Sequence, residues 1–441
     1  MKRKNGMTKQ ILAGLKQIGQ RFGLVLGLLL TIMISIVLSV ILWWTPGNSK
    51  MATDSEANKQ LLATKPITSI YDFNQLLVVD KNAKIKAVMN FKATTTKMVK
   101  YMNSWELGTV QKKKVSVAEY MQTLRTPNTY VMSFPAPVST DIIKSIFGAN
   151  IILPRNAEVT HVQMSRTKKN IVRLFDDQHH QIYQFKVTAA AKSLDTISLG
   201  AQKIPVTIQY HKRQMLTDYQ NAITLKSYRY LVATSEASSF VSTLFSGNKQ
   251  TPNPQVSGDV TTYGTTNKQL KINSSSDLVT FDNYDAKSIK ATFNGRLKAG
   301  YNWLVMSRQL SDNIYYFESS DDGRLLTYRL YVNGLPIFNQ SDFGTVRIEE
   351  KTTTHLQISF SQYSLQVPLP SKTTDDVILP SSATVFKELA AAGVKKNDVD
   401  KIQIGYRWVT AKDSTKVTLK PEWYFESHST WHAVFDYLNQ K

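Results

Sequence analysis

The sequence predicts an α+β protein with a single N-terminal transmembrane helix followed by three extracytoplasmic modules of antiparallel sheet with packed helices. Three observations lead to this fold class: an uncharged apolar run of 23 residues near the N-terminus, many short strand-like stretches after it, and three short helix patterns that recur along the chain. At about 100–200 residues per domain, the 441 residues allow two to four domains.

The transmembrane helix is predicted at residues 22–44, FGLVLGLLLTIMISIVLSVILWW. As a helix this run is about 35 Å long, enough to cross the ~30 Å hydrocarbon core of a bilayer. Six basic and no acidic residues in 1–21 place the N-terminus in the cytoplasm. Arg21 marks the inner membrane interface, and Trp43 and Trp44 mark the outer one. A cleaved signal peptide is the alternative, although its apolar core is usually shorter.

Three glycines at the start of this helix predict a contact with another helix. Gly19, Gly23 and Gly27 are four residues apart and share one helix face, where a second backbone can approach closely. The alternative is that glycine is simply common in membrane helices.

The chain outside the membrane is predicted to divide into a linker and three domains. We expect a cytoplasmic basic tail at 1–21, a juxtamembrane linker at 45–65, and extracytoplasmic domains at 66–195, 196–290 and 291–441. β-rich or alternating stretches predict strands throughout this region. These stretches are Leu76–Val79, Thr129–Ser133, Ile171–Phe175, Ile182–Val187, Ile204–Tyr210, Ser227–Thr234, Leu326–Val332, Leu356–Phe360 and Lys401–Thr410.

Three segments share a helix pattern in which hydroxyl residues precede apolar residues at i, i+1, i+4 and i+5, and a glycine follows. The hydroxyl pairs are Ser139-Thr140, Ser238-Ser239 and Ser381-Ser382, and the glycines are Gly148, Gly247 and Gly393. The recurrence favours three related modules, although short amphipathic helices also resemble one another by chance. Residues 246–277, rich in Ser, Thr, Asn and Gly, predict a long loop or irregular hairpin.

A tight hairpin is predicted at Asn333-Gly334, between the apolar runs TYRLYV and LPIF. An Asn-Gly pair readily adopts the positive φ angles of a two-residue turn. Pro336 then predicts that the second strand lies at an edge, contains a bulge or is short.

The motifs of the sequence favour a protein that is not an enzyme and has no cofactor or metal. No phosphate-binding loop, nucleophile elbow or zinc-protease motif is present, and the chain has no cysteine. His428 and His432 are four residues apart, but the aromatic residues around them favour strand and turn. Asp176-Asp177 and the histidines after them predict a hairpin tip, as Asp321-Asp322 predicts a turn. The region outside the membrane is therefore predicted to be a binding or regulatory region.

The charge of the chain points to anionic surroundings. The formal net charge is +21, and +15 of it lies in residues 22–441. Lys112, Lys113 and Lys114 form a basic run that is either solvated or in contact with an anionic polymer. An anionic cell-wall polymer is therefore an alternative partner, whereas the predicted topology excludes nucleic acid.

The many aromatic residues fill sheets or, alternatively, form a platform for carbohydrate or protein.

Four segments of the chain resemble the YycH family: the basic start with an anchor ending in LWWTPGN, YVMSFPAPVSTDIIKSIFG at 130–148, LLTYRLYVNGLPIFNQSDFGTVRI at 325–348, and LKPEWYFE at 419–426. The third is the most specific because it matches the family's R-x-Y-x-N-G-x-P-x-F hairpin. The matching residues are Arg329, Tyr331, Asn333, Gly334, Pro336 and Phe338. The fourth matches the family's closing P-x-W through Pro421 and Trp423.

The resemblance implies three extracytoplasmic domains, of which the last two, at 196–290 and 291–441, are alike and similar to YycI. It implies that the protein and a YycI-like protein contact the WalK (YycG) sensor histidine kinase and adjust its activity, and so the control of cell-wall metabolism. It carries over no catalytic residue, and it implies a structural role for the hairpin residues.

Overall fold

The computed structural model describes Ile32, Met33, Ser35 and residues 65–439 apart from 149–150, 167–170, 190–193, 200–201, 248–250, 287–291, 340, 371–375 and 411–414. Almost all of the predicted transmembrane helix, the basic tail and all of the predicted linker except Lys65 lie outside these residues. Within the described part of the chain, no helix has both the length and the apolarity needed to cross a bilayer.

The first half of the described chain forms an antiparallel sheet of ten strands. Its order is β10-β9-β2-β1-β5-β6-β7-β8-β3, and β4 pairs with β8 at the same edge. The strands are β1 Gln75–Val79, β2 Ile85–Val88, β3 Glu106–Leu107, β4 Gln111–Lys114, β5 Thr129–Ser139, β6 Glu158–Ser165, β7 Ile171–Asp176, β8 Gln181–Ala189, β9 Lys203–His211 and β10 Gln214–Tyr219.

Helices cover both faces of this sheet, because the central strands are apolar on both sides. α1 (Lys92–Met102) and α3 (Thr140–Phe147) bury their apolar residues in the main core, and α2 (Val117–Leu124) buries its own in a smaller core on the opposite face. Ser116 caps α2 by accepting a hydrogen bond from the Glu119 N–H at 3.2 Å.

Most strands in the second half of the described chain belong to a second network of fourteen hydrogen-bonded strands. Its order is β13-β14-β15-β16-β21-β20-β18-β19-β24-β25-β12-β22, with β17 beside β18 and β26 beside β25. The strands are β12 Tyr228–Thr234, β13 Pro254–Ser257, β14 Val260–Gly264, β15 Lys268–Asn273, β16 Leu278–Asn283, β17 Ile314–Ser320, β18 Leu325–Val332, β19 Leu335–Phe338, β20 Thr345–Glu350, β21 Leu356–Ser361, β22 Tyr363–Leu369, β24 Lys401–Thr410, β25 Lys416–Ser427 and β26 Thr430–Ala433.

The described residues also form four further α-helices and a small sheet. α4 (Ala237–Leu244) and α5 (Phe293–Met306) pack into the main core. α6 (Ser382–Ala391) and α7 (Val434–Asn439) pack into a third core, to which the antiparallel pair β11 (Ile223–Lys226) and β23 (Asp376–Leu379) also contributes. The main core takes residues from both halves of the chain, so the ten-stranded sheet and the hairpin region around β17–β19 share one interior.

Pairing in the second network crosses the predicted boundary between residues 290 and 291. β12 pairs with β25 through Tyr228 and Leu419, and β16 pairs with β21 through Phe281 and Ile358. The segments 196–290 and 291–441 are therefore joined by strand pairing, while the boundaries themselves stay a prediction.

The α+β character predicted from the sequence is confirmed. All nine predicted strands occur, and three helices lie where the repeated pattern placed them, with Gly148, Gly247 and Gly393 just after them, each at a φ of +86°. The number of modules stays a prediction.

Two expectations are wrong. Of the two alternatives for residues 246–277, the long loop is wrong: β13, β14 and β15 form regular antiparallel hairpins that continue into β16. Polar composition obscured these strands, since their residues are mostly half-buried or exposed. Ser238-Ser239 do not cap α4, because the helix begins earlier, with Glu236 at its N-cap.

Candidate functional site: the hairpin junction

Six residues matched to the family motif lie in one hairpin of β18 and β19. Val332 pairs with Leu335, and Tyr331 pairs with Pro336. The turn residues Asn333 and Gly334 have φ angles of +49° and +81°, as a two-residue hairpin turn with right-handed strand twist requires. The strand after the turn is short, as Pro336 predicted, but it is not an edge strand: β24 pairs with it in parallel through Ile337 and Phe338.

The other residues that we singled out near the membrane lie outside the described residues. They are Gly19, Gly23 and Gly27, proposed for helix contact, and Arg21, Trp43 and Trp44, proposed for the membrane interface.

Arg329 is a buried cation between two aromatic rings. Its side chain is 4% exposed, and its guanidinium lies 4.7 Å from the ring centroid of Phe317 and 4.3 Å from that of Phe338. Nη1 donates to the Ile337 carbonyl at 3.2 Å and to Thr345 Oγ1 at 2.9 Å. Burial lowers the pKa of Arg329 to about 10, so the group stays charged at neutral pH. The two aromatic faces and the two neutral hydrogen-bond acceptors stabilise this positive charge.

The aromatic cluster around Arg329 joins the hairpin to the last strands of the chain. It consists of Phe317, Tyr331, Phe338 and Tyr424. Gly405 in β24 makes room for it, because a Cβ there would lie 2.6 Å from ring carbons of Phe338 and 2.8 Å from the Pro336 carbonyl. Only glycine allows β19 and β24 to approach this closely.

A polar cleft of about 690 Å³ opens beside Arg329. Lys401 lies in it, 3.0 Å from Glu318 and 2.9 Å from Glu426. Burial lowers the pKa of Lys401, but the two carboxylates outweigh burial and raise it. Arg407 forms an ion pair with Asp436 at 2.8 Å. These charges neutralise one another, whereas Arg329 has no carboxylate within 4.0 Å among the described residues.

A second space, the hairpin cavity, lies on the other side of the turn and has a volume of about 410 Å³. Its walls come from residues 72–93, Pro135 and residues 313–334. Gly334 approaches it closely: a Cβ at this position would lie 3.1 Å from the ring of Phe91. The tip of the hairpin therefore rests against the first half of the chain.

Sequence reasoning missed a buried polar network in the ten-stranded sheet. His161 Nε2 lies 3.0 Å from Asp177 Oδ2, and His161 Nδ1 lies 2.8 Å from Ser133 Oγ. Asp177 also accepts hydrogen bonds from the Tyr120 hydroxyl at 2.6 Å and the Met215 N–H at 2.9 Å. The turn at 177–180 was predicted, but its contact with residues distant in sequence was not, since no local pattern signals it.

The order Ser133, His161, Asp177 resembles a hydrolase triad, but its surroundings do not fit one. All three residues are 4% exposed, whereas a serine nucleophile must meet its substrate. Burial raises the pKa of Asp177, but the electrostatic interaction with His161 and the hydrogen bonds that the carboxylate accepts outweigh burial and lower the pKa below its usual value. Such a satisfied, buried network fixes strand packing. Within the described residues, no group of three or more His, Asp or Glu side chains is placed to hold a metal ion.

Comparison with known proteins finds a matching family and a similar solved structure. The family model described as YycH protein, C-terminal domain, matches residues 213–441. The crystal structure of YycH from Bacillus subtilis superposes with a TM-score of 0.67 at 13% sequence identity, covering 84% of this chain and 97% of that one. No curated protein sequence matches the chain.

Proposed function

The chain belongs to the YycH family, and from this premise we propose that it is a non-enzymatic, membrane-anchored protein that acts with a YycI-like partner on a WalK-like sensor histidine kinase. Family membership implies a regulator of the WalK kinase system. The observation that carries the proposal is the family match over 213–441, which includes all six hairpin residues. We propose further that the N-terminus is cytoplasmic and that the bulk of the chain is extracytoplasmic.

The proposed mechanism is contact between helices in the membrane. Regulation requires only that the complex favours one kinase conformation over the other, and about 1–3 kcal/mol of coupling changes the ratio about 5–150-fold. The sequence supports Gly19, Gly23 and Gly27 as the contact face, since small residues let helices pack closely in lipid.

The test replaces Gly23 and Gly27 by leucine in the full chain in cells. We expect kinase reporter output to change and co-purification with the kinase to fall at least tenfold. The matched control replaces Val25 and Leu29, on the opposite helix face, by leucine and isoleucine, and should leave both readouts unchanged. If the glycine variant co-purifies with the kinase as well as the parent does, this contact face is ruled out. If deletion of the whole protein leaves the kinase reporter output unchanged, the regulatory role is ruled out.

An exposed basic strand favours a second candidate function, the binding of an anionic wall polymer. Lys112, Lys113 and Lys114 are all exposed in β4, a strand whose partner among the described residues is β8, and Lys113 also forms an ion pair with Glu119. Together with the net charge of +15 in residues 22–441, this predicts that teichoic acid binds the purified protein and that binding weakens steeply as salt is raised. Equal binding by a variant with the three lysines replaced by serine would exclude this strand as the contact.

A further inference from the structure

The hairpin cavity combines an aromatic floor with a polar rim. Its floor is formed by the rings of Phe73, Phe91, Tyr315, Tyr316 and Tyr331. Aromatic faces pack well against C–H groups, and an apolar pocket with a few convergent polar groups is the usual form of a small-molecule site.

One buried polar atom of a residue that lines the cavity has no partner. Tyr331 is 5% exposed, and its hydroxyl makes no hydrogen bond in the described part of the chain. Burial raises the pKa of Tyr331 far above its ordinary value, so the group is a neutral hydroxyl at physiological pH. A buried hydroxyl without a partner is unfavourable, and a ligand that supplies one removes this penalty.

Four asparagines supply the polar rim. Asn74, Asn90, Asn313 and Asn333 line the cavity, and none of their side-chain amides has a hydrogen-bond partner among the described residues. Each amide offers both donors and an acceptor. A ring of such groups suits a ligand whose hydroxyls both donate and accept.

The cavity carries no free charge for an ionic ligand. Its charged residues are Asp72 and Lys92, which form an ion pair with each other. The Lys92 ammonium also lies 4.4 Å from the ring centroid of Tyr315. Because this cation is already neutralised, an anionic ligand would find no unpaired positive group.

From these observations we propose that the hairpin cavity binds a neutral saccharide. A sugar ring has C–H faces for the aromatic floor and hydroxyls for the amides and the Tyr331 hydroxyl, and it needs no counter-charge. The cavity volume is within the range of small-molecule sites. The proposal does not rest on the proposed kinase regulation.

The location of the site gives binding a structural effect. The cavity takes one wall from residues 72–93 and the other from residues 313–334, so an occupant contacts both halves of the chain at the hairpin tip. A ligand held by both walls stabilises their contact and raises the thermal midpoint of the protein.

The test measures binding of chitobiose and cellobiose to the purified full chain in detergent, by saturation-transfer NMR and calorimetry. We expect a dissociation constant below about 10 mM for these disaccharides. The variant Asn90→Gly with Asn333→Gly removes two rim amides and keeps the backbone, because both residues have positive φ. It should bind at least tenfold more weakly, whereas Asn128→Gly, a matched change at a positive φ outside the cavity, should bind like the parent.

Three results would overturn the proposal. The first is that neither disaccharide binds, and the second is that the double-glycine variant binds the disaccharides as tightly as the Asn128→Gly control does. The third is that poly(glycerol phosphate) or a blocked tetra-alanine peptide binds instead of the sugars, and that the double-glycine variant loses this binding. Tyr331→Phe is a further check that does not depend on the turn: it should keep the fold and weaken disaccharide binding at least threefold.

Discussion

The ring of Phe338 stacks on the ring of Tyr424, with centroids 4.0 Å apart and planes inclined by 16°. Phe338 ends the hairpin strand β19, and Tyr424 lies in β25, close to the end of the chain. The stack therefore fixes the family hairpin to the last strands. It depends on Gly405, which lies against the same ring.

Replacement of Gly405 by alanine should destabilise this junction. The new Cβ would overlap the Phe338 ring and the Pro336 carbonyl, and overpacking of this kind costs about 1–3 kcal/mol of unfolding free energy. Thermal unfolding of the full chain measures the loss. Gly264→Ala is the control, since its Cβ would meet only the Lys268 carbonyl at 4.0 Å, and equal midpoints for the two variants would contradict the prediction.

Arg329 should tolerate methionine better than lysine. Lysine keeps the buried charge but loses the planar group that lies between two rings and donates to Ile337 and Thr345, so we expect a loss of about 3 kcal/mol. Methionine removes the charge and its desolvation penalty, and the loss should be smaller. Denaturation midpoints of the two full-length variants give the order, and a lysine variant as stable as the parent would argue against a buried, desolvated cation.

Tyr331→Phe should raise the stability of the protein without ligand. The substitution removes a buried hydroxyl that has no hydrogen-bond partner and leaves the ring packed against Tyr315, so we expect a gain of about 1 kcal/mol. A thermal midpoint below that of the parent would show that the hydroxyl is already satisfied in the free protein. Greater stability with weaker saccharide binding is the combination that a ligand site predicts.

Stability should fall steeply in alkali. Burial raises the pKa of Tyr183 to about 12 and that of Tyr71 well above its ordinary value, whereas unfolded tyrosines titrate near 10. The folded state therefore holds these protons more tightly, and the stabilisation is complete below about pH 10 and is lost as the pH rises towards about 12. The lowered pKa values of Arg329 and Arg173 act in the opposite direction, but the tyrosines whose pKa is raised by burial outnumber them among the described residues.

Two measurements check the alkaline prediction on the full chain. Circular dichroism should show unfolding in the same pH interval in which tyrosinate absorbance appears, and Tyr183→Phe should lessen the alkaline loss. Titration of most tyrosines near pH 10 with the fold intact would contradict it.

Local sequence patterns predicted the elements of this fold well, because they depend on neighbouring residues. The alternation in Lys401–Thr410 gave the bounds of β24, and the Asn333-Gly334 pair gave the turn. The meander of β13–β16 was not predicted because its side chains are mostly polar and many of them are only partly buried.

The environment of the site could not be predicted in the same way. Arg329 occupies an alternate position of β18, where a charged residue normally faces solvent. It is buried because the rings of Phe317 and Phe338, from the two neighbouring strands β17 and β19, lie against its guanidinium. The asparagines of the cavity rim likewise come from distant segments, and only the three-dimensional fold brings them together.

The position of β12 in the second network sets an order of assembly. This strand spans Tyr228–Thr234, and its partners β22 and β25 begin at Tyr363 and Lys416. During synthesis β12 is made before β22 and β25, and its backbone groups stay unpaired until those two strands exist. The sheet around β12 therefore forms only after the last strands of the chain are made. A chain that stops before β25 would leave β12 with an open edge, which is a recognised route to aggregation and proteolysis.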